Sequence, residues 1–176
     1  MDIKELLDQF TLFDPAKGQR AELPAVEGNY IVVLKAGCNI PDVLGNFKYT
    51  EISLHGVDYR VLYTGIASDL KRRIWTNHLH GNGGNSTLRK TLGSLFGYQK
   101  IPRDKNYQIN KKTKFGAEDE NSLTAWMEHN LLFAYLANDK SKELESFLID
   151  SLLPPLNVEG SKASTLKRVH ELRCDK

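Results

Sequence analysis

Tyr63-Thr64-Gly65-Ile66-Ala67-Ser68-Asp69-Leu70-Lys71-Arg72-Arg73-Ile74 is the stretch on which the reading of this 176-residue chain turns. Its head completes a strand, Tyr59 to Tyr63, which is expected to end where the chain turns at Thr64-Gly65. Ser68 then stands where a helix N-cap belongs, and Asp69 complements the positive helix end. That helix should run to about Leu79, with Leu70 and Ile74 on its inner side. Arg72 points away from this side. Arg73 lies on its shoulder, where an arginine can bury its stem and aim a planar donor fork at a pair of phosphate oxygens. Arg72 fits an ordinary exposed arginine better, while for Arg73 that reading and a phosphate ligand are equally open.

Upstream, residues 2 to 10 read as a short amphipathic helix, followed by a connector through Pro15, Gly18 and Pro24. Gly28-Asn29 introduces the β-branched and aromatic run Tyr30 to Leu34, a buried strand. Gly37 to Gly45 is a loop, and Phe47 to Tyr63 holds two strands, Tyr49 to Leu54 and Tyr59 to Tyr63, joined at His55-Gly56. Downstream, Gly81 to Asn85 stops the first helix, and a second, capped by Asn85 or Ser86, carries Leu88, Leu92 and Leu95. Residues 98 to 121 are polar, lysine-rich and aperiodic, and are expected to form a long mobile loop or insertion. A short helix at Leu123 to His129, a third core strand at Leu131 to Leu136, and a helix from Ser141 to Leu153 ended by Pro154-Pro155 complete the pattern. The basic tail after Gly160 is expected to be helical at 164 to 172.

The fold class implied is α/β: a small, mainly antiparallel sheet of three core strands plus an extra hairpin strand, flanked by helices. The expected organisation is an N-terminal helix and connector over 1–27, a central domain over 28–157 with a basic insertion at about 81–121, and a basic tail over 158–176.

Hydrophobic residues at 40% supply a core, which sets aside disorder of the whole chain. No apolar run reaches the roughly 20 residues that span a bilayer, and the N-terminus lacks a secretory signal. Cys38 and Cys174 form no metal-type spacing and read as free thiols in a reducing cytoplasm. The net charge of +2 is uninformative, but basic residues gather at Lys71-Arg72-Arg73, Arg89-Lys90, Lys111-Lys112 with Lys114, and Lys162, Lys167 and Arg168. Such clusters line phosphate-binding surfaces or are simply solvated faces.

Turned at about 100° per residue, the helix from Ser141 places Leu144, Leu148, Ile149 and Leu152 on one face, with Glu145 in the middle of that arc. A carboxylate there costs several kcal/mol, to an order of magnitude, unless a partner or metal compensates it. Two readings are open: a structural or snorkelling glutamate, and a metal ligand.

Gly28-Asn29-Tyr30 and Tyr63-Thr64-Gly65 resemble the two tripeptides that name the GIY-YIG nuclease superfamily. The stretch Tyr63 to Ile74 is similar to that family's second strand and following helix, which places its arginine at Arg73. Leu144 to Asn157 resembles the closing motif, with its glutamate at Glu145 and its asparagine at Asn157. The resemblance spans about residues 28 to 157. It implies a metal-dependent endonuclease that hydrolyses DNA phosphodiester bonds, with Mg²⁺ or Mn²⁺ held by Glu145. In it Tyr30 assists proton removal from water, Tyr63 positions water or phosphate, Arg73 stabilises transition-state charge, and Gly28, Gly65 and Asn157 are structural. Lys71, Arg72, Arg89, Lys90, Lys111, Lys112 and Lys114 would contact DNA.

Three departures stand out. Asn29 and Thr64 replace apolar residues in the tripeptides and, facing away from the tyrosines, should matter little. The tripeptides are unusually far apart, which suggests extra strand at about 47 to 55. The histidine that some members carry one turn after the arginine falls at Asn77, with His78 next, so His78 is either catalytic or a helix-end histidine. Gly81 to Gly84 lacks the Lys-Ser/Thr of a nucleotide loop, so no nucleotide cofactor is expected. The alternatives to an enzyme are a non-catalytic DNA- or partner-binding module and a structural protein in which Glu145 and Arg73 form only a salt bridge.

Overall fold

In the computed structural model, which describes residues 2–45 and 48–174, helix α1 (Ile3–Leu7) and strand β1 (Thr11–Phe13) precede the central strand β2 (Gly28–Leu34). Every residue of β2 is buried. Tyr30, Val32 and Leu34 enter one core layer while Ile31 and Val33 enter another, the period-2 alternation of a strand covered on both faces. Strands β3 (Glu51–Leu54) and β4 (Val57–Ala67) follow as a hairpin. The expected start of this region at Phe47 lies outside the described residues.

A π-helix covers Arg72–Leu79, and α2 spans Thr87–Leu95. Next come β5 (Lys100–Pro102), α3 (Tyr107–Asn110), β6 (Thr113–Phe115), α4 (Ala117–Asn130), β7 (Leu131–Ala137), α5 (Ser141–Leu152) and α6 (Leu166–Cys174). Five strands form one antiparallel sheet in the order β1-β7-β2-β4-β3, and β5 with β6 make a separate hairpin. The π-helix, α2 and α4 cover the Tyr30 face through Ile74, Leu79, Leu88, Leu92, Leu123 and Met127. Leu144, Leu148 and Leu152 of α5 and Leu6 and Leu7 of α1 cover the other.

The α/β class and the antiparallel core strands are as expected, and four local expectations are corrected. The connector contains β1, which pairs with β7. Strand β4 does not turn at Thr64-Gly65 but runs on to Ala67, because Gly65 is a close-approach residue and not a turn residue. It pairs with Tyr30, and a Cβ there would lie 2.6 Å from the Tyr30 hydroxyl. Asp69, not Ser68, caps the following helix: its carboxylate accepts from the Arg72 N–H at 2.8 Å.

The supposed mobile loop at 98–121 is the β5–β6 hairpin with α3 at its tip, running into the first turn of α4. Glu120 anchors it. One carboxylate oxygen accepts from the Gly83 and Phe115 N–H groups (2.7 and 3.1 Å), and the other takes two guanidinium donors of Arg89 (3.0 and 2.8 Å). Arg89 also donates to the carbonyls of His78 and Leu79 and is fully buried. The expectation that Arg89 contacts DNA is therefore corrected: its donors are spent inside the core, where removing the carboxylate would leave an uncompensated charge.

Candidate active site

The site begins with a defect in the sheet. The β2–β4 register pairs Val32 with Tyr63 but Val33 with Val61, leaving Leu62 as an extra, bulged residue. Uninterrupted alternation from Val61 would send Tyr63 to the α5 face. The bulge re-aims it to the Tyr30 side. The two rings stack with centroids 6.2 Å apart and planes 29° apart, over the space that Gly65 leaves open. Burial is the main reason the Tyr30 phenol sits well above its ordinary pKa, with Tyr63 adding to the rise and Arg73 opposing it. Tyr63 is also raised, chiefly by burial, while Arg73 and a hydrogen bond from Tyr30 pull it down.

The π-helix brings in His78. Its i→i+5 bonding, seen in the His80 N–H donating to the Trp75 carbonyl at 3.0 Å, widens the turn beyond 3.6 residues. Five residues after Arg73 therefore occupy the place that four would take in an α-helix, so His78, and not Asn77, lies one turn on. Its Nε2 is 2.7 Å from the Tyr30 hydroxyl and its Nδ1 is 2.6 Å from Ser86 Oγ. Burial, then the charges of Arg73 and Arg89, lower its pKa to about 3, so the ring is neutral at neutral pH. Ser86 is itself the N-cap of α2 and accepts from the Arg89 N–H at 3.1 Å.

Tyr30, Tyr63, Arg73, His78 and Glu145 line one pocket of about 220 Å³ together with Thr87 and Glu159. Glu145 reaches it from α5, which packs on the opposite face of the sheet. Among the described residues, neither Arg73 nor Glu145 forms an ion pair, with each other or with any other group. Desolvation, then repulsion from Glu159, raises the Glu145 pKa against the pull of Arg73. Two carboxylates that repel each other at a polar pocket suit a hard divalent cation that keeps most of its water. Glu145 and Glu159 fit such an ion, although the described residues contain no cluster of three or more His, Cys, Asp or Glu for a dehydrated one.

Asn157 clamps β4 beside the tyrosines: its carbonyl accepts from the Thr64 N–H (2.9 Å) and its amide donates to the Thr64 carbonyl (2.8 Å). The two unusual tripeptide residues carry more structure than expected. The Thr64 hydroxyl donates to the Tyr30 carbonyl at 2.9 Å, and the Asn29 amide donates at 2.7 Å to the carbonyl of Ser141, the first residue of α5. Asn29 thus ties the Tyr30 strand to the Glu145 helix, and both polar side chains are tolerated in the core because they are bonded. Gly28 lies where a Cβ would press on Leu70 and the Leu136 carbonyl, so it too is a packing position.

The expected DNA contacts are spread out. Lys71 and Arg72 open the π-helix, Arg72 exposed; Lys114 lies on β6; Lys90, Lys111 and Lys112 line a second pocket of about 310 Å³ beside the hairpin. Sequence reasoning missed Ser86 as a partner of His78, Glu159 beside Glu145, and Arg173 on α6. Ser86 carried a signal as a helix cap; Glu159 and Arg173 sit in irregular or tail sequence with no period to mark them. Cys38 and Cys174 are free thiols, and no described helix is long and apolar enough to cross a membrane.

A family model described as the GIY-YIG catalytic domain matches residues 28–175, past Asn157 and through α6. No curated protein and no solved structure matches the chain.

Proposed function

The chain belongs to the GIY-YIG family, a nuclease-type family, and on that premise we propose that it is a metal-dependent endonuclease that hydrolyses DNA phosphodiester bonds. The observation that carries this reading is the unpaired state of Arg73 and Glu145 within one pocket. A structural pair would have closed on itself. Here the guanidinium is left to receive a phosphate and the carboxylate a cation. The salt-bridge alternative lacks a use for that arrangement, and a binding module would use the guanidinium but not the carboxylate.

Glu145, with Glu159 beside it, would hold Mg²⁺ or Mn²⁺, which supplies Lewis-acid stabilisation of charge on the phosphate and the leaving oxygen. Arg73 adds a permanent positive charge for the extra negative charge of the transition state. Tyr30, once its own phenolic proton has passed to solvent, would accept the proton of the attacking water as its phenolate. Burial opposes that form, so it needs help, and the positive charge of Arg73 supplies some. A neutral His78 supplies more. If the Ser86 hydroxyl donates to Nδ1, the Nε2–H donates to the Tyr30 oxygen. That places one fixed donor on the oxygen that becomes anionic when the phenolic proton leaves. Tyr63, re-aimed by the bulge, positions the water or the phosphate. Asn157 holds β4 in register beneath it.

Supercoiled plasmid and branched DNA, incubated with Mg²⁺ or Mn²⁺ and either wild type or Glu145→Ala, test the reading. Metal-dependent cutting that the variant loses is expected. Wild type that binds DNA without cutting it would replace the enzyme with a binding module.

A further inference from the structure

Two further pockets, of about 380 and 310 Å³, share Thr87, Lys90 and Arg173. The first also contains Tyr63 and Glu145, and the second contains Lys111 and Lys112. They form one trough from the reactive pocket to the hairpin, with Lys90 and Arg173 at its middle.

The second pocket is lined by Lys90, Lys111, Lys112 and Arg173 with no carboxylate, whereas the first adds Glu145 and Glu159. Lys90 of α2 is half-buried, its Nζ donating to the Thr113 carbonyl and hydroxyl. Arg173 comes from α6, and its Nε is buried without a hydrogen-bond partner. The Lys100 ammonium joins them, donating to the Leu172 carbonyl at 2.6 Å. Among the described residues no carboxylate forms an ion pair with Lys90 or Arg173. Burial, then repulsion from Arg173 and Lys100, lowers Lys90 to about 8. A buried Arg173 donor with no acceptor, beside a Lys90 ammonium that pairs with no carboxylate, marks a place that an anion would complete.

We propose that Lys90 and Arg173 form a phosphate-binding subsite for the nucleic-acid backbone next to the reactive pocket, so that α6 is a wall of the substrate channel. The inference rests on the reading of the substrate as DNA and adds the path of the strand: out of the reactive pocket, over the junction of α2 and α6, toward Lys111 and Lys112. These contacts would set position and affinity and carry no base readout.

The test is equilibrium binding of a fluorescent DNA duplex, by anisotropy over a range of salt, in a Glu145→Gln background that leaves the DNA intact. Arg173→Gln and Lys90→Gln should each weaken binding roughly tenfold, and each should reduce the salt slope by about one. Arg173→Lys keeps the charge and should keep the slope, which separates a phosphate contact from a fault in folding. Arg168→Gln, on the same helix but exposed and paired with Glu171, should change binding by less than about twofold, since exposed paired charges contribute little. Wild-type affinity and slope in folded Arg173→Gln and Lys90→Gln would overturn the subsite, as would failure of the unsubstituted trough to bind duplex at all. Cutting by the chain with intact Glu145 is read separately. Arg173-dependent binding without any cutting would support the subsite while removing the nuclease reading; cutting that ignores Arg173 would do the reverse.

Discussion

Two arginine–glutamate sets lie on either side of His78, and they are built in opposite ways. Arg89 and Glu120 are closed: the guanidinium meets the carboxylate twice, fills its other donors with backbone carbonyls, and is sealed from water. Arg73 and Glu145 are open: they line one pocket, and their side chains form no hydrogen bond or ion pair among the described residues. The closed set ties the hairpin, α2 and α4 to the end of the π-helix. The open set leaves its charges to what enters the pocket. Residue type is the same in both, so satisfaction of donors and acceptors, and not identity, separates scaffold from chemistry.

The most severe way to break the comparison is through the closed set. Glu120→Ala should cost about 3–5 kcal/mol in chemical denaturation, because it strands a buried guanidinium. Glu145→Gln should cost less than about 0.5 kcal/mol by the same measurement, since it removes no internal bond. Equal losses at the two positions would erase the distinction. Arg73→Gln is the counterpart on the open side. Cleavage should fall about 10²- to 10³-fold, as for removal of one transition-state donor, with denaturation almost unchanged. A variant that keeps its rate would make Arg73 an ordinary surface arginine.

Much of this was legible in the sequence, and what was not has physical reasons. Helix spacing singles out Arg73 and Glu145 and the apolar faces beside them, while the ordered set of Tyr30, Tyr63, Arg73, Glu145 and Asn157 is carried by the resemblance to the GIY-YIG family. Arg89 could not be told from Arg73, because only tertiary packing brings Glu120 to one of them. The place of His78 depends on a π-helix, invisible to any reading at 3.6 residues per turn. Likewise the facing of Tyr63 depends on a bulge, which a strict period of two sends to the wrong side. The hairpin at 100–115 has three-residue strands, too short for any alternation to register. Gly65 looked like a turn because glycine has two uses, and here it makes room for a ring.

His78 sits between the two sets, its carbonyl held by Arg89 and its ring by Tyr30 and Ser86. Its pKa falls from 6.5 to about 3 on folding, so between those values the unfolded chain binds a proton that the folded chain refuses. Stability from this group is complete above about pH 6.5 and is lost as the pH falls, roughly 2 kcal/mol by about pH 5. Denaturation of wild type and His78→Gln at pH 7 and pH 5 isolates it, since other groups titrate alike in both. Wild type should lose the additional stability and the variant should not. Parallel losses would place a charged, solvated ring where the neutral one is needed.

The smallest expected effect gives the sharpest view of how the closed set serves the open one. Ser86 accepts from the Arg89 N–H as a cap and meets His78 Nδ1 with the same oxygen, so one hydroxyl performs a structural and a chemical task. Ser86→Ala should lose about 1 kcal/mol of stability with the cap, and about tenfold in cleavage with the fixed tautomer. Ser86→Gly separates the two, because glycine at an N-cap costs only a few tenths of a kcal/mol yet offers His78 no hydroxyl. Ser86→Thr keeps the oxygen and should keep both properties. Cleavage that follows stability through this series would reduce Ser86 to a helix cap. Cleavage that stays low in a stable Ser86→Gly would show that the buried scaffold sets the direction of the hydrogen bond reaching Tyr30.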